Sequence, residues 1–357
     1  MIQISAPNLH TYDAKTSNGK TNTPGKDLDN NDRPHWQTQL ADAIRDPVEL
    51  LNVLALPEDL LPQAMAVSQQ FPLRAPRPYV SRMKKGDRND PLLLQVLPLA
   101  AEAQTTPGFL ADPVGDLAAQ STPGLIHKYQ GRILLVVTGA CAIHCRYCFR
   151  RHFPYSQSNP LTSHWQKARH YIEANPDIKE VILSGGDPLS LSDERLDELI
   201  SQLEQIPHVK TLRLHTRVPV VIPTRITPTL LARLQNSRFK TVMVIHANHG
   251  NELDESVKIA LAQLHDAKVT LLNQSVLLKG INNDVTTLKT LSETLFDCGV
   301  IPYYLHKLDK VSGAAHFDVC ESEAVRLLKN LQQQLPGYLV PKLVHEQAGA
   351  LSKLPLY

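Results

Sequence analysis

Between Arg132 and Leu305 the chain repeats one pattern six times, a short apolar run followed by a helical stretch. The runs are RILLVVT (132–138), EVILSGG (180–186), TLRLHT (211–216), TVMVIHA (241–247), KVTLLN (268–273) and IPYYL (301–305). Most are continuous rather than alternating, which marks strands buried on both faces. Helical periodicity follows at 164–174, 193–205, 228–235, 253–266, 285–296 and 322–334. Six consecutive βα units require parallel strands joined by right-handed crossovers. The fold class expected is α/β, a partial (open) six-stranded (β/α)6 parallel barrel.

In such sheets ligands sit beyond the carboxyl ends of the strands, and polar residues gather there. Ser184, Gly185, Gly186 and Asp187 close the second run, His215, Thr216 and Arg217 the third, and His246, Asn248 and His249 the fourth. Asn273 and Gln274 close the fifth, and His306 and Asp309 follow the sixth. A single histidine at a strand end is usually structural; the recurrence in every unit points to a site.

The loop after the first run reads CAIHCRYCFRRHFPY (141–155) and places Cys141, Cys145 and Cys148 at C-x3-C-x2-C. Thiolates are soft ligands that select iron-sulfur clusters or zinc. A four-iron cluster ordinarily takes four cysteines, so three leave one iron open to the amino and carboxylate groups of S-adenosylmethionine. A zinc site would need another ligand, and His144 and His152 stand close enough in sequence to be counted. The triplet, with Tyr147 before its last cysteine, resembles the signature of the radical S-adenosylmethionine (radical SAM) superfamily. Ser184-Gly185-Gly186-Asp187 resembles the glycine motif with which that superfamily holds the methionine amino group. Among Arg146, Arg150 and Arg151, guanidinium forks suited to a carboxylate, Arg150 is the favoured clamp.

At 357 residues the chain has room for one large barrel-type domain or two ordinary ones. Residues 1–33 are polar and lack packing residues, so a disordered tail is expected. Residues 34–125 form a helical and Pro-rich extension, 126–320 the barrel, and 321–357 its last helix and a closing segment. A formal charge of +2 gives no case for nucleic acid or an anionic membrane. Without a signal pattern or a spanning run, a cytoplasmic location is expected. Three of the five cysteines share eight positions, which does not fit a disulfide framework; Cys298 and Cys320 read as small buried hydrophobes.

From Trp36 onward the chain resembles the lysine 2,3-aminomutase family, and within it the short bacterial branch that serves elongation factor P. The stretches that carry the likeness are PGLIHKYQGRILLVVTGACAIHCRYCFRRHFPY, ILSGGDPL, RITPTLLARL, NHGNE, LLNQSVLLKGIN, YYLHKLDKVSGAAHF and SKLP. Long family members run on into a cysteine-bearing zinc segment, whereas here SKLPLY is the end of the sequence, which favours the short branch. The resemblance implies a [4Fe-4S] cluster, S-adenosyl-L-methionine and pyridoxal 5'-phosphate, the last on Lys353, whose amine can condense with an aldehyde. It implies Arg150 for the substrate carboxylate, with Asp309 and Glu346 for the distal ammonium, Glu346 standing where long members have Asp. Lys128 and Arg132 fall at phosphate contacts, and His246 and Gln274 near the adenosyl and pyridoxal ligands. The implied activity is isomerisation of free L-lysine to (R)-β-lysine, with an external electron donor such as flavodoxin and a functional link to the elongation factor P ligase. Rival readings are an aminomutase for another amino acid, such as glutamate, and a non-catalytic iron-sulfur electron carrier or sensor.

Overall fold

The computed structural model of the chain describes residues 35–156 and 164–357. The tail expected at 1–33 lies outside them. The strands, in chain order, are β1 Gln120–Thr122, β2 Leu125–Tyr129, β3 Arg132–Thr138, β4 Glu180–Gly185, β5 Thr211–Thr216, β6 Lys240–Ile245, β7 Thr270–Leu277, β8 Ile301–Lys307, β9 Lys342–His345 and β10 Leu354–Pro355. They lie side by side in sequence order in one sheet. Pairing is parallel from β3 to β9 and antiparallel at the two margins, β1–β2–β3 and β9–β10. The sheet does not close on itself, so the architecture is an open, partial (β/α) barrel.

The six repeated runs are β3 to β8, each followed by its helix: Trp165–Ala174, Asp193–Glu204, Pro228–Gln235, Glu255–Asp266, Val285–Asp297 and Glu321–Gln332. Four of these helices begin at a residue whose side-chain oxygen accepts the N–H three positions on: Ser192, Thr227, Asp254 and Asp284. Each such cap contributes about 1 kcal/mol and fixes where the chain leaves the strand-end loop. In the N-terminal extension Asp46 accepts from Val48 N at 2.9 Å and Pro47 opens the helix Pro47–Val53.

Two additions extend the expected sheet. β9 is a seventh parallel strand, four residues long with only Leu343 and Val344 buried, too short for a periodic signal. β10 folds back on β9 and ends the sheet, an edge position where Pro355 is tolerated because no ladder N–H is needed on its open side. In this hairpin Leu354 pairs with His345. The residues just outside the pair, Lys353 and Glu346, are therefore cross-strand neighbours.

The extension does not fold apart from the barrel. Trp36, Ile44, Leu50, Tyr79, Leu92 and Leu97 share one apolar core with Ile133, Leu183, Leu214 and Met243. A second core, Leu277, Leu305, Leu327, Leu343 and Leu356, ties the closing segment to β7, β8 and the last helix. Among the described residues no helix is long and apolar enough to cross a membrane.

Candidate active site

A cavity of about 540 Å³ opens at the carboxyl ends of the parallel strands. Cys141, Cys145, Cys148, Arg150, Asp309, Glu346 and Lys353 all face it, although they are spread over more than 200 residues of sequence.

The cysteine loop is irregular and is held from the side of the extension. The fully buried Arg146 donates to both oxygens of Glu102, at 2.8 and 2.6 Å, and to the Phe71 carbonyl at 2.8 Å. Arg151 donates to Glu102 at 2.9 Å, and both guanidiniums lie over the Phe71 ring. A carboxylate bridging two guanidiniums is a strong, directional tie. Two of the three candidate clamps are thus spent on structure.

The thiol set fits a cluster better than zinc. His144 points its Nδ1 at the Pro72 carbonyl, 2.9 Å away, and the Nε2 of His152 lies 3.2 Å from the Ser312 carbonyl. Each ring spends one nitrogen on a backbone carbonyl and keeps the other. Among the described residues no three His, Cys, Asp or Glu groups close on one ion position. Mononuclear zinc needs that convergence, whereas each cysteine of a cubane takes its own iron. Burial raises the Cys141 thiol, and it raises Cys148 to about 11, with the charge of neighbouring thiolates adding to the effect. A bound iron reverses that cost, since a coordinated thiol is deprotonated outright. Arg217 supplies a hydrogen-bond donor to the Cys145 sulfur at 2.8 Å.

The glycines at the end of β4 answer to the cysteine loop. Gly185 has φ +119°, and a Cβ there would lie 2.6 Å from the Thr138 carbonyl; at Gly186 it would overlap the Ala140 carbonyl. The Gly186 N–H instead bonds Thr138 at 2.7 Å and the Asp187 N–H bonds Ala140 at 2.8 Å. Both glycines are thus required by close packing of backbone against the end of β3. Asp187 accepts from Thr216 Oγ1, Arg217 N and Leu189 N. Burial pushes its carboxyl up to about 6 despite those donors. It ties β4 to β5 and lines the cavity beside the cysteine loop.

Across the cavity runs a row of alternating charges. Lys353 Nζ donates to Glu346 at 2.7 Å, and Lys128 Nζ donates to the other Glu346 oxygen at 2.8 Å. Lys128 also pairs with Asp116 at 2.6 Å, and Asp116 accepts from Arg150 Nε at 2.6 Å. A further Arg150 nitrogen, Nη1, reaches Ser184 Oγ at 3.2 Å. Burial alone would raise the Glu346 carboxyl, but Lys353 and Lys128 outweigh it and draw it down to about 2. Asp116 is lowered in the same way by Arg150 and Lys128.

Two expected roles therefore meet a different geometry. Lys128, expected at the cofactor phosphate, is held between two carboxylates. Glu346, expected at a substrate ammonium, already holds two of the chain's own. Arg132 lies over the Tyr129 ring and has no carboxylate partner among the described residues, so its cationic fork is free for a phosphate. Asp309 has no side-chain hydrogen bond or ion pair among the described residues. Burial, with the charge of Glu346 adding, pushes its carboxyl up to about 7.

Three imidazoles complete the wall. His246 meets the Gln274 amide at 2.6 Å, and burial lowers it to about 3. His215 and His306 are lowered by burial first, then by Arg213 and by Lys353 respectively. The Nε2 atoms of both are buried without a partner among the described residues. Neutral rings with unused polar atoms on a cavity wall mark a place for a polar ligand. The residue that sequence reasoning misses is Asp116, in a Pro- and Gly-rich connection with no periodicity to single it out.

A profile of the radical SAM superfamily matches residues 135–288, which covers the cysteine loop and β4 to β7. Over nearly the whole chain the sequence is similar to proteins named L-lysine 2,3-aminomutase. That of Escherichia coli (strain K12) is 50% identical over 325 residues, 91% of this chain and 95% of that protein. That of Haemophilus influenzae is 49% identical, covering 89% of this chain and 94% of its own. That of Clostridium subterminale is 34% identical, covering 93% and 80%. The superfamily match implies a [4Fe-4S] cluster and S-adenosylmethionine.

Proposed function

This chain belongs to the L-lysine 2,3-aminomutase family of radical SAM isomerases, and on that premise we propose that it converts free L-lysine to (R)-β-lysine by moving the amino group from the α to the β carbon. The observation that carries the reading is that the three cysteines, Lys353, Arg150 and the unpaired Asp309 all face one cavity. That is a cation for a carboxylate, an anion for a distal ammonium, and an amine for an aldehyde.

Cys141, Cys145 and Cys148 would hold the cluster, with Ser184 to Asp187 at its side. Lys353 and Arg132 would hold pyridoxal phosphate by its aldehyde and phosphate, with His246 and Gln274 nearby; Lys128 reaches a phosphate only by releasing a carboxylate. Bound there, the cluster with S-adenosylmethionine supplies a hydrogen-abstracting carbon radical and pyridoxal phosphate supplies an electron sink for the migrating nitrogen. The chain's own work is positioning. Arg150, oriented through Nε by Asp116, presents its outer nitrogens to the substrate carboxylate. Asp309 takes the distal ammonium, which fixes the carbon between them. His215, His246 and His306 stay neutral and bring no positive charge against a cationic substrate. An acidic amino acid such as glutamate would bring its side-chain carboxylate against Asp309 and Glu346, which disfavours that alternative.

The product would supply the modification of elongation factor P through its ligase, in the cytoplasm, with reduction by a donor such as flavodoxin. The test is anaerobic assay of the reconstituted protein with L-lysine, reductant and both organic cofactors, the product resolved by chiral chromatography. (R)-β-lysine is the expected result. Unchanged lysine beside a reducible cluster would sink the proposal.

A further inference from the structure

The loop that carries Asp309 is fastened to the loop that carries the cysteines. Over residues 139–156 the chain forms no helix or strand, so its shape is set by side-chain contacts and by ligation of its three thiols. Arg151 and His152 follow the last cysteine by three and four positions, and both reach the loop after β8. Arg151 Nη1 donates to the Gly313 carbonyl at 3.3 Å, and the His152 ring lies 3.2 Å from the Ser312 carbonyl. Gly313 has φ +89°, and a Cβ there would lie 2.8 Å from Arg151 Nη1. That guanidinium is pinned by Glu102 and by the Phe71 ring, so it has little freedom to step aside.

Apolar packing joins the same two loops. Tyr147 and Phe149 share a cluster with Leu308, Val311 and Phe317, and the Tyr147 and Phe317 rings meet edge to face at 6.2 Å. From the other side the Leu110 N–H bonds the Lys310 carbonyl at 2.8 Å, and the Leu110 carbonyl accepts from Ser312 N at 2.9 Å. Within this frame the Val311 N–H bonds the Asp309 carbonyl at 2.7 Å. A displacement at Gly313 is therefore passed along a short, bonded segment to Asp309.

We infer that Arg151 and Gly313 are positioning residues, a clasp that couples the seating of the cysteine loop to the placement of Asp309, so that loading the thiols with iron raises affinity for the distal ammonium of the substrate. This rests on the reading of Asp309 as the partner of that ammonium. Glu102 already holds Arg151 to the extension; the bond to Gly313 adds a link to the substrate side that support of the cysteine loop alone does not require. By linkage, lysine must favour retention of iron by the same factor. The substrate is then held in register only by a chain equipped to use it.

The experiment titrates lysine and norleucine, which lacks the distal ammonium, against the full chain carrying pyridoxal phosphate, with and without iron, in the absence of S-adenosylmethionine. Binding is read from the cofactor's absorbance. Lysine should bind the iron-free chain more weakly by about fivefold or more, while norleucine binds both forms alike. Gly313→Ala keeps every charge, and Arg151→Lys keeps a cation at Glu102 but loses the fork that also reaches Gly313. Each, compared at full iron content, should show the weak lysine value, and lysine should no longer favour iron retention against a chelator at equilibrium. If neither variant folds, the two forms of the unmodified chain decide alone. An equal fall for lysine and norleucine, or clasp variants with full iron and the unmodified lysine affinity, would overturn the inference. Equal affinity for lysine and norleucine in the loaded, unmodified chain would instead overturn the reading of Asp309, so the two failures are distinguishable.

Discussion

Arg217 donates from one guanidinium nitrogen to the sulfur of Cys145 at 2.8 Å and from the other to Glu252 at 2.8 Å. Gln95, Tyr79 and Tyr147 accept from the same two nitrogens. A cation and donor at a ligating sulfur stabilise the reduced, more negative cluster. Arg217→Gln should therefore lower the midpoint potential of the cluster, read by spectroelectrochemistry; a tenfold change in the one-electron equilibrium is about 59 mV. A variant that folds, binds iron normally and keeps the same potential would show the contact to be architectural only.

Glu102 bridges Arg146 and Arg151 beneath the cysteine loop. Glu102→Gln leaves two guanidiniums sharing one neutral acceptor, and breaking such a buried pair costs about 3–5 kcal/mol. Denaturant unfolding should show a loss of that size, and iron bound per chain should fall with it.

At Gly186 there is no room for a Cβ against the Ala140 carbonyl. Gly186→Ala should displace the cysteine loop at a cost of about 1–3 kcal/mol. Iron-to-protein ratio after anaerobic reconstitution is the measure, and a normal ratio would refute the steric argument.

Asp309, raised to about 7, gives a pH dependence of definite sign. The ligand-free fold gains from its proton at low pH, and that gain is lost as pH rises through about 7. A cation prefers the ionised form, so lysine affinity should climb as pH approaches 7 and level off above it, and Asp309→Asn should flatten the climb. Glu346 behaves in the opposite sense: lowered to about 2, it contributes stability above the ordinary carboxylate range that is lost as pH falls toward 2.

Asp116 orients Arg150 through Nε and leaves its outer nitrogens to other partners. Asp116→Asn keeps the shape but weakens that tie, and KM for lysine should rise by several-fold, on the order of 1 kcal/mol, with kcat less affected. An unchanged KM would remove Asp116 from the binding site.

The barrel was legible because six apolar runs, each with its own helix, admit few arrangements, and β3 to β8 fall on those runs. β9 was not, because KLVH has too few residues to show a period. The cysteines, Arg150, Asp309 and Lys353 could be named because motif and resemblance mark them, and they do share a cavity. Asp116 and Glu102 could not, because their meaning lies in partners 34 and 44 positions away, Arg150 and Arg146.

The hairpin of β9 and β10 works as a ruler. Seven positions separate Glu346 from Lys353, and the turn between them, with Gly349 at φ +78°, sets the count. Adding or deleting one residue in that turn would bring Ser352 or Leu354 into the slot opposite Glu346 and send the amine to the other side of the sheet. The spacing can therefore be changed far less freely than the identity of the residues inside it.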